Sequence, residues 1–143
     1  MAQSEYLAGK VVKRTLPTIN GRPGPDAPTL KRLLLPQGEL AHVYDSDDGI
    51  RYLAAVEARM GSVRGNHYHR VKEEGIYMVQ GELSVVVEDV ETHDRATVPV
   101  KTGDLLLIQT GVAHQLRTVE PGQMIEFSRV RFNAADCYPF ALG

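Results

Sequence analysis

Apolar residues in this chain fall into short runs with polar or glycine- and proline-containing breaks between them. The runs are Leu30 to Leu35, Leu40 to Tyr44, Ile50 to Ala58, Gly75 to Val79, Glu82 to Glu88, Ala96 to Lys101, Leu105 to Gln109, His114 to Val119 and Met124 to Phe132. They are rich in Val, Ile, Leu and Tyr and are too short for most helices. Pro36-Gln-Gly, Ser46-Asp-Asp-Gly49, Gln80-Gly81, Thr102-Gly103 and Pro121-Gly122 punctuate them. Many short strands at regular spacing with such turns predict an all-β sandwich or barrel. Val79-Gln80-Gly81-Glu82 reads as a tight hairpin in which Gly81 takes positive φ. The polar stretch Glu88 to Arg95, which contains His93, reads as a longer hairpin loop.

Residues 17–29 carry four prolines and two glycines. The division this predicts is an irregular arm over residues 1–29 and a single β-barrel domain over residues 30–143. The arm and the apolar Leu33-Leu34-Leu35 are candidates either to pair with another subunit's sheet edge, giving a homodimer as the expected assembly, or to close as an intramolecular lid. One short helical turn is expected after Asn133.

The chain has 143 residues, enough for one self-sufficient core. Net charge is -2 and there is no basic stripe, which argues against a nucleic-acid partner. No apolar run is long enough to span a membrane as a helix. The first residues do not read as a signal peptide, and the lone cysteine, Cys137, allows no disulfide within the chain. A cytoplasmic location is therefore the expectation, and Cys137 reads as a small, partly buried apolar residue.

Three of the five histidines fall into one pattern with a carboxylate. His67 and His69 are two positions apart, so on a strand both imidazoles face the same way, with Cα atoms about 6.5 Å apart. Two nitrogens at that spacing can converge on one ion at roughly 2.0–2.2 Å each. Glu74 follows after a short polar link. It is preferred to Glu73 because alternation places Glu74, Ile76 and Met78 on one interior face. His114, after the turn at Gly111, supplies a third direction of approach. Three imidazoles and a carboxylate suit a divalent transition metal.

These residues resemble the two motifs of the cupin family. The first, G-x5-H-x-H-x(3,4)-E-x6-G, is matched in full by Gly61, His67, His69, Glu74 and Gly81. The second, G-x5-P-x-G-x2-H-x3-N, is matched at Gly103, Gly111 and His114, with Gln109 in place of its proline and Thr118 in place of its asparagine. The resemblance implies a small single-domain cupin, a double-stranded β-helix or jelly-roll barrel, often dimeric. It also implies one six-coordinate Fe, Mn, Ni, Co, Cu or Zn held by His67, His69, Glu74 and His114. The string Arg64-Gly-Asn-His-Tyr-His69 is similar to that of cupins from nucleotide-sugar and surface-polysaccharide pathways.

A divalent ion with that ligand set carries net charge near +1 and favours an anionic chelate. The expected function is an enzyme acting on a small, polar, oxygen-rich metabolite by Lewis-acid or O2 chemistry: an isomerase, epimerase, lyase or dioxygenase. The alternatives are a metal-free acid–base sugar isomerase or epimerase and a non-catalytic cupin that binds a small ligand. Candidate substrate contacts are Arg64, Tyr77, Gln109, Thr118 and Arg51, with Glu126 and Arg129 as further possibilities. Met78, Leu106, Ile108 and Leu116 are expected to furnish the barrel wall. The residue that would serve as a separate general base is not evident in the sequence.

Overall fold

Two long antiparallel strands organise the chain. The computed structural model describes residues 2–143, and in it Glu74–Asp89 and Val112–Ser128 each form one continuous strand, paired from Val112↔Asp89 to Phe127↔Gly75. In chain order the elements are β1 (Ala2–Tyr6), β2 (Val11–Thr15), β3 (Thr18–Asn20), β4 (Lys31–Leu35), β5 (Gly38–His42), β6 (Tyr52–Ala58) and β7 (Val63–Tyr68). They continue with β8 (Glu74–Asp89), β9 (Arg95–Lys101), β10 (Asp104–Ile108), β11 (Val112–Ser128) and β12 (Tyr138–Pro139). Short 3-10 turns occupy Leu7–Gly9 and Ala134–Asp136.

The neighbours of β8 and β11 change half-way along. Residues 74–77 of β8 pair with β10, and residues 122–128 of β11 pair with β6. Residues 82–88 of β8 pair with β9, and residues 114–117 of β11 pair with β7. The result is two sheets joined through shared, bent strands: β1-β2-β10-β8-β11-β6 and β9-β8-β11-β7-β12. This is a jelly-roll barrel, as the resemblance implies. Its interior is filled by Val11, Ile76, Met78, Leu83, Val85, Val87, Val98, Val100, Leu106, Ile108, Leu116 and Met124. All four residues expected on the wall are there.

The bend departs from the sequence reading. Gln80-Gly81 was expected to close a hairpin and Pro121-Gly122 to separate two strands; instead both lie inside continuous strands. The ladder slips at Thr118/Glu120, Glu120/Gln123 and Gln123/Met124, which are bulges that bend a strand without ending it. Gly81 does take positive φ, at 110°. A Cβ on Gly122 would overlap the Gln80 carbonyl oxygen, so the two backbones meet at this corner with no room for a side chain.

The stretch 1–29 is also more ordered than expected. β1 and β2 pair with each other, and β2 continues the first sheet through β10. β3 runs parallel to β4 in a separate three-stranded sheet, β3-β4-β5. Proline blocked the strand reading of this region, but the strands lie on either side of Pro17 rather than across it. Leu33, a candidate for pairing with another subunit's edge or for an intramolecular lid, is buried within this chain in that sheet. The chain around the small sheet supplies Leu16, Leu30, Ala41, Val43 and Tyr44 to a second apolar layer over Tyr77, Leu105 and Phe127 on the outer face of the first sheet. Among the described residues no helix is long and apolar enough to cross a membrane.

The corner makes a specific demand on Gly122. Gly122→Ala is expected to destabilise the fold by about 1–3 kcal/mol, the usual cost of overpacking. Urea unfolding should show a lower midpoint at unchanged m-value; an unaltered midpoint would mean that the corner relaxes freely.

Candidate functional site

The site lies inside the barrel where the two sheets face each other. His67 is near the end of β7, directly opposite His114 on β11. His69 follows β7, and Glu74 opens β8 in the first sheet. The ladder slips immediately after His114, where Gly65 faces Gln115. Gly65 has φ 95°, and a Cβ there would overlap the His114 carbonyl oxygen. Glycine at position 65 thus lets β7 approach β11 closely enough for His67 to reach His114.

The expected quartet does converge. The candidate ligand atoms of His67, His69, Glu74 and His114 all lie within 4.8 Å of one another. Ring centroids are 4.9 Å apart for His67–His69, 4.8 Å for His67–His114 and 5.8 Å for His69–His114. His69, Glu74 and His114 are buried, and His67 is half-buried. Glu73, the rejected carboxylate, points elsewhere and accepts from the backbone N–H and Nε of Arg129.

Hydrogen bonds assign the imidazole tautomers. His69 Nδ1 lies 2.6 Å from the Asp136 carbonyl oxygen, and His114 Nδ1 lies 3.2 Å from that of Val112. A carbonyl can only accept, so each Nδ1 carries the hydrogen. Each Nε2 is then left facing Glu74: His69 Nε2 is 3.2 Å from Oε1, and His114 Nε2 is 3.2 Å from Oε2. His69 Nε2 is fully buried and, despite that distance, is aligned with no hydrogen-bond partner. A neutral imidazole would set a lone pair against a carboxylate here. The geometry therefore calls for positive charge between them, as an imidazolium proton or as a metal ion. The four residues can hold such an ion, and the orphaned Nε2 fits one.

The protonation equilibria follow from this crowding. Burial would raise the Glu74 carboxyl, but His114, His69 and the Lys72 ammonium outweigh it and hold Glu74 well below the usual range. The Glu74 carboxylate raises His69 above 6.5 against the opposing effect of burial. Burial, then His114 and His69, push His67 down to about 4. His67 is therefore neutral at pH 7.

A cavity of 200 Å³ opens onto the cluster, lined by Tyr52, Arg64, Lys72, Leu116, Glu126, Phe132 and Cys137 besides the quartet. This is smaller than the roughly 300–1,000 Å³ of pockets that enclose a drug-sized ligand. It suits a small metabolite or one end of a larger molecule. Glu126 shares the inward face of β11 with buried Met124 and sits opposite Ile76, two residues from Glu74. Its carboxyl has no ion-pair or hydrogen-bond partner among the described residues, and burial, then Glu74, raises its pKa.

Of the five candidate substrate contacts, only Arg64 lines this cavity. Tyr77 points out of the barrel into the second apolar layer, because it alternates with inward Ile76 and Met78. Thr118 is buried, but it lies beyond the bulge after His114 and its hydroxyl is 3.0 Å from that of Ser62. Gln109, past the end of β10, and Arg129 line a larger outer groove of 680 Å³ that none of the three histidines reaches. Arg51 donates to the Arg129 carbonyl on the exterior. Cys137 is partly buried, as expected, and also borders the cavity.

Two contributors were missed. Lys72 is buried, with Nζ 3.1 Å from Glu74 Oε1. It is two residues before Glu74, a spacing that would have flagged it had the link been read as extended. Asp136 is the other. Besides its carbonyl bond to His69, its carboxylate accepts from the backbone N–H of Arg70, Val71 and Lys72 at 2.8–3.2 Å. Nothing in the sequence marks it, because it acts across 67 positions.

The fold and this geometry can be set beside known proteins. No curated protein sequence matches the chain. Several solved structures share the fold. The dTDP-4-dehydrorhamnose 3,5-epimerase from Sulfolobus tokodaii superposes with TM-score 0.71 at 20% identity, over 92% of this chain and 76% of that one. The dTDP-6-deoxy-D-glucose-3,5-epimerase from Legionella pneumophila, in complex with dTDP-4-keto-L-rhamnose, gives 0.74 at 12% identity, over 99% and 79%. A 3,4-ketoisomerase from Helicobacter canadensis gives 0.66 at 14% identity, over 76% and 85%. The family description "Cupin domain" matches residues 56–128, from within β6 to the end of β11 and including all four members of the cluster. By that match, and by the jelly-roll that carries its two histidine motifs, this chain belongs to the cupin family.

Proposed function

We propose that this cupin is an isomerase or epimerase that moves a proton at a carbon next to a carbonyl in a small, oxygen-rich substrate such as a keto sugar. The observation that carries this reading is Glu126, an unpaired, half-buried carboxyl in the same cavity as a cluster that demands positive charge. Proton abstraction beside a carbonyl needs a base at the carbon and positive charge at the oxygen. Glu126 supplies the first, and its raised pKa brings it nearer to the operating pH of a residue that both takes and returns a proton. The cluster supplies the second. The shared fold with proteins named as sugar epimerases and a ketoisomerase supports this reaction class over a lyase or dioxygenase.

His67, His69, Glu74 and His114 are the residues that would hold a divalent transition metal, which when bound polarises a substrate oxygen. Asp136 and Val112 fix the ring orientations through Nδ1, the usual role of partners behind ligating histidines. Arg64 stands at the cavity wall. Buried Leu116 gives the cavity an apolar wall, which strengthens the electrostatics beside it.

A metal-free reading has its own support in His67. This imidazole is neutral, half-buried and without a hydrogen-bond partner among the described residues, so it is a second candidate proton acceptor. The imidazolium form of His69 would then provide the positive charge.

Three outcomes are expected. Elemental analysis of tag-free protein should find about one transition metal per chain, absent from Glu74→Gln with His114→Ala; no uptake even on reconstitution would leave the metal-free reading. If metal binds, its affinity should fall as pH falls through the raised value of His69, because the imidazolium must lose its proton to ligate. His67, neutral above about 4, should add nothing to that dependence near neutrality. An affinity that stays flat as pH falls to 6.5 would contradict the raising of His69 by Glu74. Incubation with dTDP-4-keto-L-rhamnose in D2O should exchange carbon-bound protons, read by NMR, and Glu126→Gln should slow exchange about 100-fold. Binding of that sugar without exchange would favour the non-catalytic cupin.

A further inference from the structure

The residue motifs leave Lys72 without a role. Its side chain is buried, with 6% of its surface exposed, yet it borders the cavity. The ammonium lies 4.3 Å from the Tyr52 ring centroid and 5.7 Å from that of Phe132. The two rings stack at 5.9 Å. They hold the cation by their faces and offer it no conventional acceptor. Among the described residues, the only hydrogen-bond acceptor of Lys72 Nζ is Glu74 Oε1. An ammonium has three N–H donors. One goes to Glu74 and the nearer ring, Tyr52, can take another, while Phe132 at 5.7 Å is too far to accept an N–H, so one is left for a molecule in the cavity.

The charges point the same way. Two cationic side chains, Lys72 and Arg64, line the cavity. Of the two carboxylates there, Glu74 is already engaged by Lys72 and faced by two histidines, and burial works against ionisation of Glu126. A low-dielectric cavity with that balance favours an anion.

We propose that Lys72 is a substrate-binding residue and that the group entering the cavity bears negative charge, as a carboxylate or as an enediolate formed during reaction. This rests on the reading of the cavity as the substrate site. A lysine serving only to neutralise Glu74 would lose its effect on small anions once Glu74 is itself neutral, so Lys72→Met is compared with its parent on a metal-free Glu74→Gln background as well.

Oxalate, a planar dianion that fits so small a space, is a suitable probe. It is titrated calorimetrically into metal-free and Mn(II)-loaded wild type, Lys72→Met and Lys72→Arg, with Mn(II) affinity measured alongside. Lys72→Met should weaken oxalate at least about tenfold in whichever form binds it, and Lys72→Arg should recover part of the loss. Lys72→Gln replaces the methionine variant if that one does not fold. Equal oxalate affinity in wild type and the uncharged variant, or no oxalate binding by wild type in either form, overturns the proposal. Failure of wild type to take up Mn(II) would count against the metal centre alone, since oxalate binding to the metal-free proteins still decides the role of Lys72.

Discussion

A single buried carboxylate governs the interior of this protein. Glu74 sits within 3.2 Å of two histidine nitrogens and of a lysine ammonium. A charge so far from water is tolerated only where it is paired and hydrogen-bonded. Each partner is held by a different part of the chain: His69 by the carboxy-terminal segment, His114 by β11, and Lys72 by two aromatic faces. Removing any one leaves Glu74 under-compensated, so the side chains of this site act as a unit.

The barrel exists in a form that can carry this unit because β8 and β11 belong to both sheets. Glu74 enters from one sheet and His67 with His114 from the other, and the shared strands fix the distance between them. The bend at Gly81 and Gly122 is therefore coupled to the site, although it lies half-way along β8 from Glu74. Close backbone approach recurs at Gly65, where β7 nears the His114 carbonyl. In both places the absence of a side chain brings strands together.

Three of the quartet were legible because their spacing is local: one residue between His67 and His69, a short link to Glu74, and strand parity to choose between Glu73 and Glu74; His114 was marked by the turn at Gly111 before it. Parity also identified Met78, Leu106, Ile108 and Leu116 as core. It failed where the chain bends. Glycine and proline at 80–81 and 121–122 carry the same local signal whether a strand reverses or merely bulges, and only the tertiary partner distinguishes the two. Thr118 is buried on the same face as His114, but it lies further along β11, against Ser62, and does not reach the cavity. β1 and β2 were invisible because polar residues dominate them and their pairing depends on distant β10. Glu126 was noticed only as one charge among several; its significance lies in having no partner, which is a property of the fold.

Asp136 has a consequence in time. His69 acquires its fixed tautomer only when a residue 67 positions later docks behind it. At roughly 5–20 residues per second of synthesis, that partner leaves the ribosome some seconds after the histidine pair. During that interval the emerging chain displays two neighbouring imidazoles free to rotate, open to any soft cation nearby. Docking of the later segment then turns a loose chelator into a site of defined geometry, so the order of synthesis separates the appearance of the ligands from their selectivity.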